Sequence, residues 1–316
     1  MANGRVKTGS MSEFFNHVIE GLSKKDKKLN PKWFYDYEGS KIFEQITKLD
    51  EYYITRTEID ILKKNQDEIS KCIGEHATII EPGAGAGEKI KILIKSLKKP
   101  ELYVPSDISK TYIRDIATKL EKALPNIKIE PWVFDFQSNE KIPSHIYQKK
   151  NLTTFFPGST IGNFEPLDAI NFLKKVKNQF YSDKIIIGVD LIKEKKILER
   201  AYNDALGITS KFNKNILKRM NKELNADLNL DFFKHDAIFN KKKSRIEMRL
   251  ISQKKQHINI GQTSFLFQDQ EIIHTENSYK YSLDMFKNLA KDAGWSVAKI
   301  WVDKNKLFSV QFLIHQ

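Results

Sequence analysis

Between residues 81 and 87 the chain reads Glu81-Pro82-Gly83-Ala84-Gly85-Ala86-Gly87, with three glycines at alternate positions. Glycines so spaced let a backbone turn sharply and approach a ligand where any Cβ would clash. A dinucleotide fingerprint places its third glycine three residues after the second; Glu88 stands there instead, so the turn departs from the nicotinamide pattern. Two acids follow. Asp107 lies near the roughly 20-residue offset at which a carboxylate accepts hydrogen bonds from a ribose. Asp135 follows a further apolar run; a carboxylate there accepts from an adenine amine while Phe136 packs on the base. The local alternative is that both aspartates cap the helices after them, which aspartate does well. A glycine turn joined to two acids at strand ends points to a nucleoside ligand.

Other chemistries find little support. The histidines at 17, 76, 145, 235, 257, 274 and 315 show no paired helical or strand spacing, so no metal site is expected. Cys72, the one cysteine, forms neither an internal disulfide nor a cysteine-based zinc site. Lysine and arginine number 53 against 40 acids, a net charge of +13, but the lysines are scattered. Runs such as Lys24-Lys25, Lys98-Lys99 and Lys241-Lys242-Lys243 fit solvated turns and helix faces, and no nucleic-acid partner is expected. No apolar run approaches the ~20 residues that span a bilayer, and the first residues lack a secretory layout. The expectation is a cytoplasmic protein of a reducing compartment, taken as a monomer, with no membrane partner.

The elements that must hold these residues alternate. Short strands are expected at Ala77–Glu81, Leu102–Pro105, Ile127–Phe134, Leu152–Phe156 and Lys184–Val189. Helices fall between them: after Gly87 through Leu97, from Ser109 to Leu124, and from Pro166 to Phe180. Strands and helices alternating at this spacing imply a doubly wound parallel α/β sheet. The rhythm stops near Lys193. Helical stretches at Ile197–Tyr202 and Lys214–Leu224 precede strand-like runs at Arg245–Ser252 and His257–Ile260. A helix at Leu283–Ala293 and strands at Val297–Val302 and Leu307–Ile314 then complete the sheet. The domain that carries the glycine turn would thus occupy 57–193 and 281–316. A second domain, pairing an N-terminal segment with an insertion, would occupy 12–56 and 194–280. Residues 1–11, where Met11 follows a Gly-Ser pair, look like a disordered cloning leader and are left out of the fold.

The Glu-x-Gly-x-Gly-x-Gly form resembles the first motif of class I S-adenosylmethionine methyltransferases, which have a Rossmann-like doubly wound sheet. Methyltransferases of nucleobase amines carry Asn/Asp-Pro-Pro-aromatic after the fourth strand; here the run is Phe155-Phe156-Pro157-Gly158 instead. From about Lys32 to the C-terminus the chain is similar to the histidine-specific Nα-methyltransferases of ergothioneine biosynthesis. The likeness is carried by Lys32-Trp33-Phe34-Tyr35-Asp36, by Glu51-Tyr52-Tyr53-x-Thr55-Arg56-x-Glu58 and by Gly158-Ser159-Thr160-Ile161-Gly162-Asn163. Gly188-Val189-Asp190-Leu191, Arg245-Ile246-Glu247-Met248 and Thr275-Glu276 with Ser278 extend it.

That resemblance implies S-adenosylmethionine as co-substrate, L-histidine as acceptor and hercynine, its N,N,N-trimethyl form, as product. It implies that Glu276 and Ser278 hold the imidazole, with Met248 lining the same pocket. It also implies that Asn163 and Tyr202, beside Gly158, clamp the substrate's carboxylate and amine, with Tyr52 facing the amine. Tyr35, Gly83, Gly85, Lys89, Asp107, Asp135 and Phe136 match cofactor contacts, and Phe43 an aromatic near the reacting centre; Tyr35, Tyr52 and Phe43 make the catalytic set. Fungal relatives methylate a prenylated tryptophan, so another aromatic amino acid is the competing acceptor. A neutral imidazole offers one donor and one acceptor, which a carboxylate beside a hydroxyl complements; an indole has only its N–H.

Overall fold

The structure, a computed structural model, describes the backbone of residues 9–135 and 138–316 and the side chains from residue 12 onward. Phe136, expected against the adenine, lies outside the described residues. A helix runs Gly9–Ser23, so it begins inside the stretch that the sequence reading set aside.

The larger sheet orders its strands Trp295–Val302, Phe308–His315, Lys184–Asp190, Leu152–Phe156, Thr78–Pro82 and Leu102–Asp107, then a broken edge. The four strands from Lys184–Asp190 to Leu102–Asp107 are parallel, and Phe308–His315 runs against them. The order reverses beside Thr78–Pro82, the first strand of this sheet in the chain. Ligands of such sheets gather at that point, outside the carboxyl ends. The central strands are near-continuous runs of buried residues, as a sheet covered on both faces requires.

The edge expected as one strand, Ile127–Phe134, is two short ones, Lys128–Ile129 and Trp132–Val133. Both pair with Leu102–Asp107 in the same register, which places Pro131 opposite Pro105. Neither proline has an N–H to donate, so the ladder breaks where they face each other. At the far edge a register shift between Val297 and Lys299 interrupts Trp295–Val302.

A second sheet orders Lys27–Lys28, Ile272–Tyr279, Arg245–Ser252 and Phe233–Asn240. The N-terminal strand lies parallel to Ile272–Tyr279, so the segment before residue 56 and the segment after 194 share one sheet. The helix Ile208–Leu224, which begins six residues before the expected Lys214, packs on the helix Tyr37–Ile46. Asn215 ties the two, donating to the Phe34 carbonyl at 3.1 Å and to Asp36 at 2.9 Å. Asp36 in turn caps Tyr37–Ile46 by accepting from the Gly39 N–H at 2.7 Å. That joint fixes the turn carrying Tyr35.

Candidate active site

A cavity of about 540 Å³ lies between the carboxyl ends of the central strands and the second sheet. Pockets of some 300–1,000 Å³ hold small molecules and cofactors. Its first wall is the glycine turn with Asp107 and Asp135. Asp107 accepts from the Ser109 N–H at 2.7 Å, and loss of solvent around it pushes its carboxyl up to about 7. A carboxyl poorly solvated at a strand end is stabilised by hydroxyl donors, which a ribose supplies. Asp135 meets Lys32 Nζ at 3.1 Å, a contact from the N-terminal segment across to the larger sheet. Gly85 faces open space, as close approach of a ligand requires. These residues fit an adenosyl group. Among the described residues no cluster of histidine, cysteine or acids is placed to hold a metal ion.

Lys89 is the one described site residue that does not line the cavity. Its Nζ pairs with Glu58 at 2.5 Å, and Glu58 is 1% exposed. Both Glu58 oxygens also accept from the Gly158 N–H, at 3.1 and 2.8 Å. Gly158 and Ser159 have φ of +81° and +57°, a left-handed turn that leads into the short helix Thr160–Asn163. Glu58 and Lys89 therefore pin the turn that carries Gly158 and Asn163 into the cavity. Glu58 fits only because residue 188 is glycine: a Cβ there would overlap the Glu58 carboxylate.

The opposite wall comes from the second sheet. Glu276 stands across from Met248 in the ladder, and Ser278 follows on the same strand. A register shift after His274 leaves Thr275 unpaired, a bulge of the kind found beside binding sites. The Thr275 hydroxyl has Asn213 Oδ1 at 2.7 Å and the Met248 carbonyl at 3.0 Å as acceptors for its one proton, which holds the bulge in place. Glu276 is 6% exposed and its Oε2 has no hydrogen-bond partner. Burial raises its carboxyl to about 7 against the opposing pull of Lys280. A buried acceptor without a donor costs about 1–3 kcal/mol, which a ligand N–H recovers.

Aromatic rings close the space between the two walls. Tyr35 and Phe43 stand 5.9 Å apart, Phe43 and Tyr52 6.2 Å, and Tyr52 and Tyr202 6.2 Å between centroids. Phe212 joins Tyr35 at 5.4 Å and Phe43 at 5.7 Å; the sequence reading gave it no role. Burial, with the Glu276 charge adding, raises the Tyr35 hydroxyl far above its ordinary value. Tyr52 and Tyr202 are raised likewise, burial again leading. These phenols therefore stay protonated.

Behind this wall lies a group of charges that composition conceals. Lys280 and Asp190 are both fully buried and paired at 2.6 Å. Burial alone would raise Asp190, but Lys280 and Lys193 hold it below the usual carboxylate range. Tyr53 Oη lies 2.9 Å from each Asp190 oxygen. Lys280 Nζ also donates to Ser278 Oγ at 2.8 Å and to Tyr202 Oη at 3.0 Å. Periodicity could not reveal this, because a lysine reads as a solvated residue until its partners are known.

A sheet of this order, with a glycine turn and acidic strand ends on one cavity, defines a class I S-adenosylmethionine-dependent methyltransferase. The model of a family described as histidine-specific methyltransferases, S-adenosylmethionine-dependent, matches residues 14–315. A histidine N-alpha-methyltransferase of Mycolicibacterium smegmatis is 36% identical over 96% of this chain and 95% of its own. One from Mycobacterium tuberculosis is 34% identical over 91% and 90%. A 4-dimethylallyltryptophan N-methyltransferase of Claviceps purpurea is 27% identical over 58% of this chain and 57% of its own. The chain belongs to the histidine-specific, S-adenosylmethionine-dependent methyltransferase family.

Proposed function

We propose that this enzyme transfers three methyl groups to the α-amine of L-histidine, giving hercynine for ergothioneine biosynthesis. The observation that carries the choice of acceptor is the unpartnered, buried Glu276 oxygen beside the Ser278 hydroxyl in the cavity wall. A carboxylate and a hydroxyl match both ring nitrogens of histidine; an indole would satisfy Glu276 alone. A site built to hydrogen-bond its substrate rejects one lacking the group by factors of about 10⁴.

The larger sheet supplies the cofactor half of the site in this reading, and the N-terminal segment with the insertion supplies the histidine half. Bound S-adenosylmethionine contributes a methyl carbon already activated on its sulfonium. Gly83, Gly85, Asp107 and Asp135 are assigned to that cofactor, and Lys89 acts on it through Glu58 and the Gly158 turn. Asn163 and Tyr202 are assigned to the substrate's carboxylate and amine, with Tyr52 facing the amine and Tyr35 between cofactor and reacting centre. Holding the nitrogen in line with the methyl carbon supplies several kcal/mol, up to about 7–11 in ideal cases. Tyr35, Phe43, Tyr52 and Phe212 present aromatic faces to a nitrogen that ends as a permanent cation, worth about 0.5–2 kcal/mol. The same reading takes the enzyme as a monomer of the cytoplasm with no nucleic-acid partner; no helix of the described residues is long and apolar enough to cross a membrane.

Incubation with S-adenosylmethionine and histidine, followed by mass spectrometry, tests the assignment. The expected product carries three added methyl groups on the α-nitrogen. Turnover of tryptophan equal to that of histidine would refute the choice of acceptor.

A further inference from the structure

Lys280 has three N–H donors and three acceptors around it: Asp190 at 2.6 Å, Ser278 Oγ at 2.8 Å and Tyr202 Oη at 3.0 Å. The ammonium has no lone pair, so at every one of these contacts it must donate. Ser278 and Tyr202 therefore both accept from behind, and across the 2.8 Å between them one hydroxyl donates to the other. With Tyr202 as that donor, Ser278 accepts twice, from Lys280 and from Tyr202, and its own proton is left to direct forward. Both residues line the cavity.

We propose that Lys280, fixed by Asp190, is a positioning residue that, together with Tyr202, commits the Ser278 hydroxyl to donate into the site. The ligand atom that meets it must then be an acceptor: a ring nitrogen with a free lone pair. Glu276 takes the other ring position as acceptor of an N–H. One donor and one acceptor on the wall select histidine with a neutral ring, and an imidazolium, with two N–H groups, meets the Ser278 proton head-on. This inference rests on the histidine reading above and adds a residue and a protonation state to it.

Two arms test it. Lys280→Met removes the donors, while Lys193 and Tyr53 still hold Asp190; calorimetry with S-adenosylmethionine reports whether the variant is folded. Its preference for histidine over pyrrolylalanine, which keeps an N–H and lacks the lone pair, should fall by about tenfold or more, through KM rather than kcat. Adding Ser278→Ala to Lys280→Met should cost little beyond Ser278→Ala alone, because coupled residues do not add. The second arm uses the unaltered enzyme and a ring-fluorinated histidine, whose ring stays neutral in acid. The ratio of kcat/KM for the two substrates cancels titrations of the free enzyme, those of Glu276, Tyr35, Tyr52, Tyr53, Tyr202, Asp190 and Lys193 included. It should shift toward the fluorinated substrate about tenfold per pH unit below ~6.5. An unchanged preference in Lys280→Met, losses that multiply in the double variant, or a ratio flat with pH each overturns the proposal. Failure of the unaltered enzyme to methylate histidine is a separate result: it removes the underlying reading and this inference with it.

Discussion

Glu58 gives the sharpest test of how the cavity is held. It is buried, pairs with Lys89 at 2.5 Å and accepts the Gly158 N–H at 2.8 Å. Glu58→Gln keeps the shape and an acceptor for that N–H but loses the charge opposite Lys89. Lys89 retains some exposure and regains water, so the loss is that of one charge-assisted hydrogen bond, about 1–3 kcal/mol. Glu58→Ala removes the acceptor as well, leaving the Gly158 N–H unpaired, about 3–5 kcal/mol in all. The turn through Gly158 and Ser159 is left-handed, so without its acceptor it relaxes and carries Asn163 with it. Urea unfolding should rank the proteins unaltered, Glu58→Gln, Glu58→Ala in falling midpoint. The KM for histidine should rise several-fold in Glu58→Ala and change little in Glu58→Gln. Equal stability of the two variants, or an unaltered KM in Glu58→Ala, would refute the reasoning.

Glu276→Ala should cut kcat/KM for histidine by a hundredfold or more, at about 3 kcal/mol for a lost charged hydrogen bond, while calorimetry shows cofactor binding intact. Acidity should also matter to stability without ligand. Burial raises Glu276 and Glu81 from 4.5 to about 7, so the folded chain holds more protons than the unfolded one between those values. Their contribution to stability is present below pH ~4.5 and is lost as pH rises to ~7. Urea midpoints against pH should show a shallower fall for Glu276→Gln than for the unaltered protein. Phe212→Leu should loosen the trimethylated product by about two- to thirtyfold, the range of one cation–π contact, and affect unmethylated histidine less; competitive inhibition measures this.

The larger sheet was legible because its strands are short apolar runs spaced by amphipathic helices, and the glycine turn sits at the switch point that those runs imply. The acids at strand ends were legible for the same reason. The strand Ile272–Tyr279 was not: it reads Ile-Ile-His-Thr-Glu-Asn-Ser-Tyr, with polar residues buried from Thr275 to Ser278. Those side chains face a cavity and partner polar groups instead of alternating with solvent, so no period-two pattern marks them. Glu276 and Ser278 came from family resemblance alone. Lys89 pairs with Glu58, 31 positions earlier, and no local spacing encodes that pairing. Pro131 was visible, but only the register shows that it faces Pro105 and splits the edge.

That facing pair of prolines bears on how the protein behaves when crowded. An outer strand with a full row of free amides is a template for a neighbour's strand, and sheets left open in that way stack into fibres. Here one margin lacks a donor at Pro131 and the opposite margin is kinked between Val297 and Lys299. Neither side offers an uninterrupted row, so a sheet of eight strands can stay dispersed at high concentration without a cover over its flanks.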